Sequence, residues 1–239
     1  MSLAEKLTTV AENTPKVYEA GVEDAKQAEY DAFWDTFQMN GSKTNYDYTF
    51  STASWTDSNL KPKYKIQPTS AERIFSGSRA AQLCCEIDFS NCTNLYMAFQ
   101  NSSFRELPLI DGSASTNYYY LFNAAYNLRR IEKFIVNPAG RLDGAFVCAN
   151  LEEVLFDGVI CGPTTTRSLD LSPCKLLNKT SIISAVSHLS DDASGFAAKF
   201  SLTSVNNAFE TSEGAADGST SQEWLNLVAT KPNWTISLI

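Results

Sequence analysis

Apolar positions recur along the chain in a fixed order. Phe75, Phe99, Phe122 and Phe146 are separated by 24, 23 and 24 residues. Each follows an apolar residue (Ile74, Ala98, Leu121 or Ala145). Each is followed three positions later by a small one (Ser78, Ser102, Ala125 or Ala149). In the last three copies a second apolar pair comes next: Phe104 and Leu107, Leu128 and Ile131, Leu151 and Val154. Strand-like residues follow directly at Leu109 and Ile110, Phe134 to Val136, and Leu155 and Phe156. A lone amphipathic helix accounts for one such copy, not for four at near-constant spacing. One copy cannot bury its own apolar side, whereas stacked copies share a continuous core. The first copy lacks the second pair, since Phe75 is followed by SGSRAAQLCC, and end repeats are usually atypical. The spacing predicts an α/β solenoid of about four rungs over residues 71–177.

The flanks have other periods. Residues 1–40 predict an acidic helical segment, with Leu3, Leu7 and Val10 at helical spacing and a second helix opening at Thr14 and Pro15. It runs to about Phe37 and carries Tyr30, Phe33, Trp34 and Phe37, an aromatic cluster expected to pack on the main body. Residues 41–70 form a linker and cap. Tyr46, Tyr48 and Phe50 alternate there, as do Tyr64 and Ile66, which predicts short strands. Thr69 and Glu72 make a capping box for a helical turn ending near Phe75. Leu169 to Leu171 read as the last strand of the solenoid. Residues 178–239 read as a C-terminal α/β cap covering its open end. Within the cap, Ile182, Ile183, Val186 and Leu189 mark a helix, and SLTSVNNAF a second helical stretch. Ser221 caps a third helix with Trp224, Leu225 and Val228. Phe196 to Leu202 and Trp234 to Leu238 alternate as strands.

Composition narrows the function classes. An apolar fraction of 44% excludes a disordered chain. The net charge of −8 excludes nucleic acid as a partner, because a phosphate backbone needs a positive footprint. Residues 1–40 hold three lysines against eight acidic residues, most of that excess. The start of the chain has no apolar signal-peptide core, and no run is long enough to span a membrane. Cys84, Cys85, Cys92, Cys148, Cys161 and Cys174 form no C-x-x-C pair, and the single His188 cannot complete a usual zinc set. They read as reduced thiols filling small core positions. No metal and no cofactor is expected.

LFNAAYNLRRI (121–131), AFQNSSFREL (98–107) and AFVCANLEEV (145–154) resemble the BspA-like class of leucine-rich repeats, with its A-F-x-x-C-x-x-L-x-x-I signature. The last two are one residue shorter before the second anchor, and Ser or Ala replaces the usual Cys. Around the repeats lie YDAFWDTFQ (30–38), LKPKYKIQP (60–68), LDLSPCKLLNKTSIISAVSHL (169–189) and KPNWTISLI (231–239). With them, the layout resembles small leucine-rich-repeat proteins encoded in phages and prophages of gut Firmicutes. The resemblance implies a leucine-rich-repeat solenoid and a virion or tail-associated role, either structural or in host-surface contact.

Candidate chemistry is sparse. His188 lies near Ser184, Ser187 and Asp191, but without a G-x-S-x-G elbow, and neighbours on one helix seldom form a triad. Asp88, Asp111, Asp157 and Asp170 fall at strand ends without a calcium-loop pattern, so solvated strand ends account for them. GRLDG (140–144) fits no nucleotide-binding motif. Tyr96, Tyr118, Tyr120 and Tyr126 are the partner-binding candidates, since exposed aromatics anchor proteins or sugars. Alternation in a strand points Tyr119 away from Tyr118 and Tyr120, so at least one of the three belongs in the core. The expected function is a non-enzymatic phage or prophage structural or host-surface-binding protein, made in the bacterial cytoplasm and located in the virion. Its partner would be a protein or a cell-surface glycan, with homo-oligomerisation through the N-terminal helix. The alternatives are a cytoplasmic interaction scaffold of a bacterium and a hydrolase of cell-wall polysaccharide.

Overall fold

The computed structural model describes residues 21–37, 42–55, 65–161, 168–192, 195–209 and 218–239. The phenylalanine-bearing segments are turns stacked on one another. The N–H groups of Tyr46, Tyr48, Phe50 and Thr52 donate to the carbonyls of Ser70, Glu72, Ile74 and Ser76. Those of Ala71, Arg73, Phe75 and Gly77 donate to Asn94, Tyr96, Ala98 and Gln100, and the pattern continues through Phe99 onto Leu121 and through Phe122 onto Ala145. The intervening N–H groups fold back three residues, as Ile74 to Ala71, Ser76 to Arg73 and Ser78 to Phe75. Every second donor thus ties one segment to the next, and the others close the turn. Backbone donors deep in the stack are thereby paired.

This geometry demands left-handed backbone at two columns. Tyr48, Arg73, Met97, Tyr120 and Gly144 occupy one, at φ between 51° and 63°. Thr52, Gly77, Asn101 and Ala124 occupy the other, at φ between 51° and 70°. A non-glycine residue there costs about 1–2 kcal/mol. The buried rings offset it. Phe50, Phe75, Phe99, Phe122 and Phe146 stack in one file with centroids 5.3, 5.4, 5.6 and 5.6 Å apart. Phe104, Phe134 and Phe156 meet that file edge-on or tilted from the strand side.

The helix α1 is described over residues 21–36. Its residues 21–29 are all exposed, and it is anchored by Tyr30 and Trp34. Trp34 and Phe37 pack on Phe50 at 6.1 and 4.9 Å, so the aromatic cluster docks on the first turn segment. The helix expected before Pro15 lies outside the described residues. Strands β1 (Glu106–Asp111), β2 (Arg130–Val136) and β3 (Glu153–Gly158) form a parallel sheet in that order, with Leu107 opposite Ile131 and Ile131 opposite Val154. β4 (Ser168–Leu171), β5 (Phe196–Phe200) and β6 (Trp234–Leu238) form a second parallel sheet. Helices α2 (Lys179–Ser187), α3 (Leu202–Ala208) and α4 (Gln222–Ala229) accompany it. Asn178 caps α2 through the N–H of Ser181, and Ser221 caps α4 through that of Trp224.

The expected leucine-rich-repeat solenoid is not the fold. The described residues hold four α-helices and two separate three-stranded parallel sheets in a mixed α/β arrangement. The reason is local to β3. Its outer N–H groups, at Val154 and Phe156, donate to the hydroxyls of Ser181 and Ser184 on α2, both at 2.9 Å. A helix closes the edge that a further strand needs. Leu169 to Leu171 therefore open a second sheet instead of ending the first. Two smaller expectations also fail. Tyr46 to Phe50 form a stacked turn, not a strand. The Thr69–Glu72 capping box builds no helix, because the Glu72 N–H is taken by the Asp47 carboxylate at 2.7 Å and the Thr69 hydroxyl by the Thr44 carbonyl. One apolar cluster runs from Tyr30 to Trp234 and joins both sheets.

Candidate interaction face

The stacked turns carry a file of side chains on their outer surface. The Arg73 guanidinium lies 5.6 Å from the ring centroids of both Tyr48 and Tyr96. Tyr96 stacks on Tyr119 at 5.9 Å and 11°, Tyr119 meets Tyr120 at 3.9 Å, and the Arg141 guanidinium sits 4.2 Å from the Tyr119 ring. The result is a ladder of alternating cation–π and ring contacts, one or two side chains per segment. A second file supports it. The side-chain oxygens of Asn94 and Asn117 accept from the N–H groups of Tyr96 and Tyr119, and the Asn117 amide donates to Asn94 at 3.2 Å. Beside these, exposed Thr69 and Thr93 donate their hydroxyls to the carbonyls of Thr44 and Thr69. The ladder is held by its own backbone and by neighbours one segment away.

Electrostatics tighten its ends. Arg141 pairs with Asp143 at 2.7 Å, which raises its already high pKa. The hydrogen bond that the Tyr119 hydroxyl donates to neighbouring Tyr120 pushes the Tyr119 phenol upward. The Tyr48 hydroxyl donates to Glu72 at 3.2 Å. Among the described residues the Arg73 Nε is buried without a hydrogen-bond partner. The guanidinium meets two aromatic faces, a contact that attracts a cation.

The four tyrosines singled out from sequence part company. Tyr96 and Tyr120 are half-buried members of the ladder. Tyr126 is the most exposed, at 56%, and is not in the ladder. Tyr118 is no surface residue: it is fully buried, donates its hydroxyl to the Gly112 carbonyl at 2.5 Å and accepts from the Asn137 N–H at 2.9 Å. Burial pushes its phenol well above the ordinary tyrosine range. Strand alternation assigned Tyr119 and Tyr120 to opposite sides, yet their rings are in contact. Tyr120 sits at φ 57°, and a left-handed residue breaks the two-residue period. Tyr48, Arg73, Tyr119 and Arg141 complete the face. Their common signal in the sequence is recurrence one segment apart, visible only once the turn register is known.

The carboxylates serve the backbone. Asp88, Asp111 and Asp170 each accept the N–H two residues on, from Ser90, Ser113 and Ser172. Asp88 also accepts from Gln67 and Lys65, and together with the Ser90 hydroxyl these hold its carboxyl far below the ordinary range. It is thus an ionised group, unsuited to donating a proton. Asp157 pairs with Lys133 at 2.6 Å. Glu86, Asp88, Asp111 and Glu132 line an open cavity of about 310 Å³ with Ile87, Phe89, Pro108 and Leu109. The His188 ring nitrogen contacts the Ser184 carbonyl at 2.8 Å, while the Ser184 hydroxyl is engaged with β3, so the imagined triad is not assembled. The six cysteines are thiols, not joined in disulfides, and five of them are buried; burial pushes the Cys92 thiol up to about 11. Among the described residues no group of three or more His, Cys, Asp or Glu side chains is placed to hold a metal ion, and no helix is long and apolar enough to cross a membrane. Comparison with family models, with curated proteins and with solved structures finds no match to this chain.

Proposed function

We propose that this protein is a non-enzymatic recognition protein, a structural or host-surface-binding component of a phage or prophage particle, whose contact surface is the Tyr48–Arg73–Tyr96–Tyr119–Tyr120–Arg141 ladder. One observation carries the contact assignment: these tyrosines and arginines are already ordered against each other on the surface. Tyrosine and arginine are the side chains that most often dominate binding energy. Side chains fixed before association lose little rotamer freedom on binding. The ring faces of Tyr96 and Tyr119 are largely spent on their neighbours, so the partner meets phenol hydroxyls, ring edges and guanidinium edges. That favours a hydrogen-bonding partner, a protein or a cell-surface glycan, over one that needs an open aromatic platform. The particle assignment rests on the layout of the sequence alone.

Two experiments test the reading. The purified protein is screened against host cells, isolated cell-surface glycans and particle proteins. Tyr96→Ala combined with Tyr119→Ala is expected to weaken the captured interaction by about tenfold or more while the unfolding midpoint moves little. Unchanged affinity would remove the ladder from the contact. Particles purified from the producing strain are then probed for this chain. Its consistent absence from them would sink the virion assignment and leave the intracellular scaffold.

A further inference from the structure

The two sheets meet at a pair of thiols that no part of the recognition reading uses. Cys148 lies in the turn that leads into β3, its carbonyl accepting from the Leu151 N–H. Cys174 lies in the turn that follows β4, its N–H donating to the Leu171 carbonyl. Both side chains are fully buried, and their sulfurs are 3.9 Å apart. The Cys174 thiol also contacts the Phe146 carbonyl at 3.2 Å, which fixes it against the phenylalanine file. A disulfide needs its sulfurs at about 2.05 Å with the Cβ atoms about 3.5–4.5 Å apart. The two sulfurs are in van der Waals contact, about 1.9 Å beyond that bond length, and no other side chain has to leave for them to close.

We propose that Cys148 and Cys174 are a latent disulfide that staples the first sheet to the second when the protein meets an oxidising thiol buffer. The reaction is thiol–disulfide exchange with a small-molecule disulfide such as oxidised glutathione. One cysteine thiolate attacks the glutathione disulfide and releases one reduced glutathione. The second cysteine then attacks the mixed disulfide and releases the other. The protein loses two electrons and two protons, and the glutathione disulfide gains them. The bond closes a loop between residues 26 apart, which holds β3 and β4. Closing that loop restricts the unfolded chain more than the folded one, so the oxidised form is the more stable. Cys84 and Cys85 also bring their sulfurs to 3.9 Å, but they are sequence neighbours, and a bridge there would close only a minimal loop.

The full chain is refolded from the reduced, denatured state in a glutathione redox buffer, which gives the thiols access to the oxidant before the core closes. In parallel, natively purified protein is incubated with oxidised glutathione. Free thiols are then alkylated and the peptides mapped by mass spectrometry. The expected product is lighter by two hydrogen atoms, keeps the other four of its six thiols free and yields one cross-linked peptide joining Cys148 to Cys174. Its unfolding midpoint rises, and dithiothreitol reverses the rise. Cys174→Ala abolishes both the cross-link and the rise, while a Cys84→Ser/Cys85→Ser variant retains them. Protein that refolds with a native far-UV spectrum and all six thiols alkylatable, or with a different pair joined, overturns the proposal.

Discussion

Left-handed residues set the character of the stacked turns. At Gly144 the backbone is at φ 63°, and a Cβ there would meet the Tyr120 ring at 2.4 Å. Glycine is required twice over, for the dihedral and for the space the tyrosine ring occupies. Gly144→Ala is therefore expected to lower unfolding free energy by more than about 1 kcal/mol in denaturant titration. A stability change near zero would mean the turn relaxes and the ring is not held. The phenylalanine file is the opposing asset. Phe122 is fully buried between Phe99 and Phe146 and touches Phe134 from the side. Phe122→Ala should cost about 3–5 kcal/mol, as expected when a large buried ring leaves a cavity. This position was legible in the sequence because the ring recurs. The left-handed column was not, since Tyr, Arg and Met carry no such preference and occupy it only because the neighbouring segments dictate the turn.

At the scale of elements, a serine pair decides where a sheet stops. Ser181 and Ser184 stand one helical turn apart on α2, and their hydroxyls reach the two outward N–H groups of β3. Ser181→Ala or Ser184→Ala leaves one of those donors unpaired in the interior, a cost of about 1–3 kcal/mol. Amide hydrogen exchange should speed up at Val154 in the first variant and at Phe156 in the second. Equal protection in both variants would show that the helix dipole and packing, not the hydroxyls, close the edge. A pH effect belongs to the strand ends. The Asp88 carboxyl is held ionised by Ser90, Gln67 and Lys65, so its folded pKa lies below its unfolded one. The stability it supplies is fully present above the unfolded value of about 3.9 and is lost as pH falls below it. The stability gap between wild type and Asp88→Asn should be widest near neutrality and narrow steadily below about pH 4 in acid titrations. The helices of the C-terminal unit were readable from apolar spacing and from Ser221 as a cap. Nothing in the local sequence marks Ser181 and Ser184 as partners of a strand, because their role depends on where α2 docks.

Across the whole molecule, polar anchors join what the apolar core already holds. Lys231 is buried, and its ammonium donates to the Leu189 carbonyl and the Asp191 carboxylate, both at 2.6 Å. The Trp234 indole donates to the Ser190 carbonyl at 2.8 Å. These bonds pin the last strand to the loop after α2, so the second sheet is seated by charge and hydrogen bonding as well as by apolar contact. The recognition ladder depends on the same whole. Its members come from five successive segments, and no single segment presents more than a fragment of it. Binding loss in the Tyr96→Ala/Tyr119→Ala variant, without loss of fold, is accordingly the measurement that separates an interaction face from surface packing.

What the amino-acid order settled alone was the existence of recurring segments, the identity of their buried rings, the aromatic anchor of α1 and the elements of the C-terminal unit. All of these follow from the spacing of residue types along the chain. The tertiary structure decided the rest. It made the phenylalanine segments stacked turns, divided the strands between two sheets, buried Tyr118 and brought Tyr48, Arg73, Tyr96, Tyr119 and Arg141 into one file. Each of these depends on which backbone donors and acceptors meet across segments. The recurrence shows that segments repeat every 23 or 24 residues, but not which donor meets which acceptor across them.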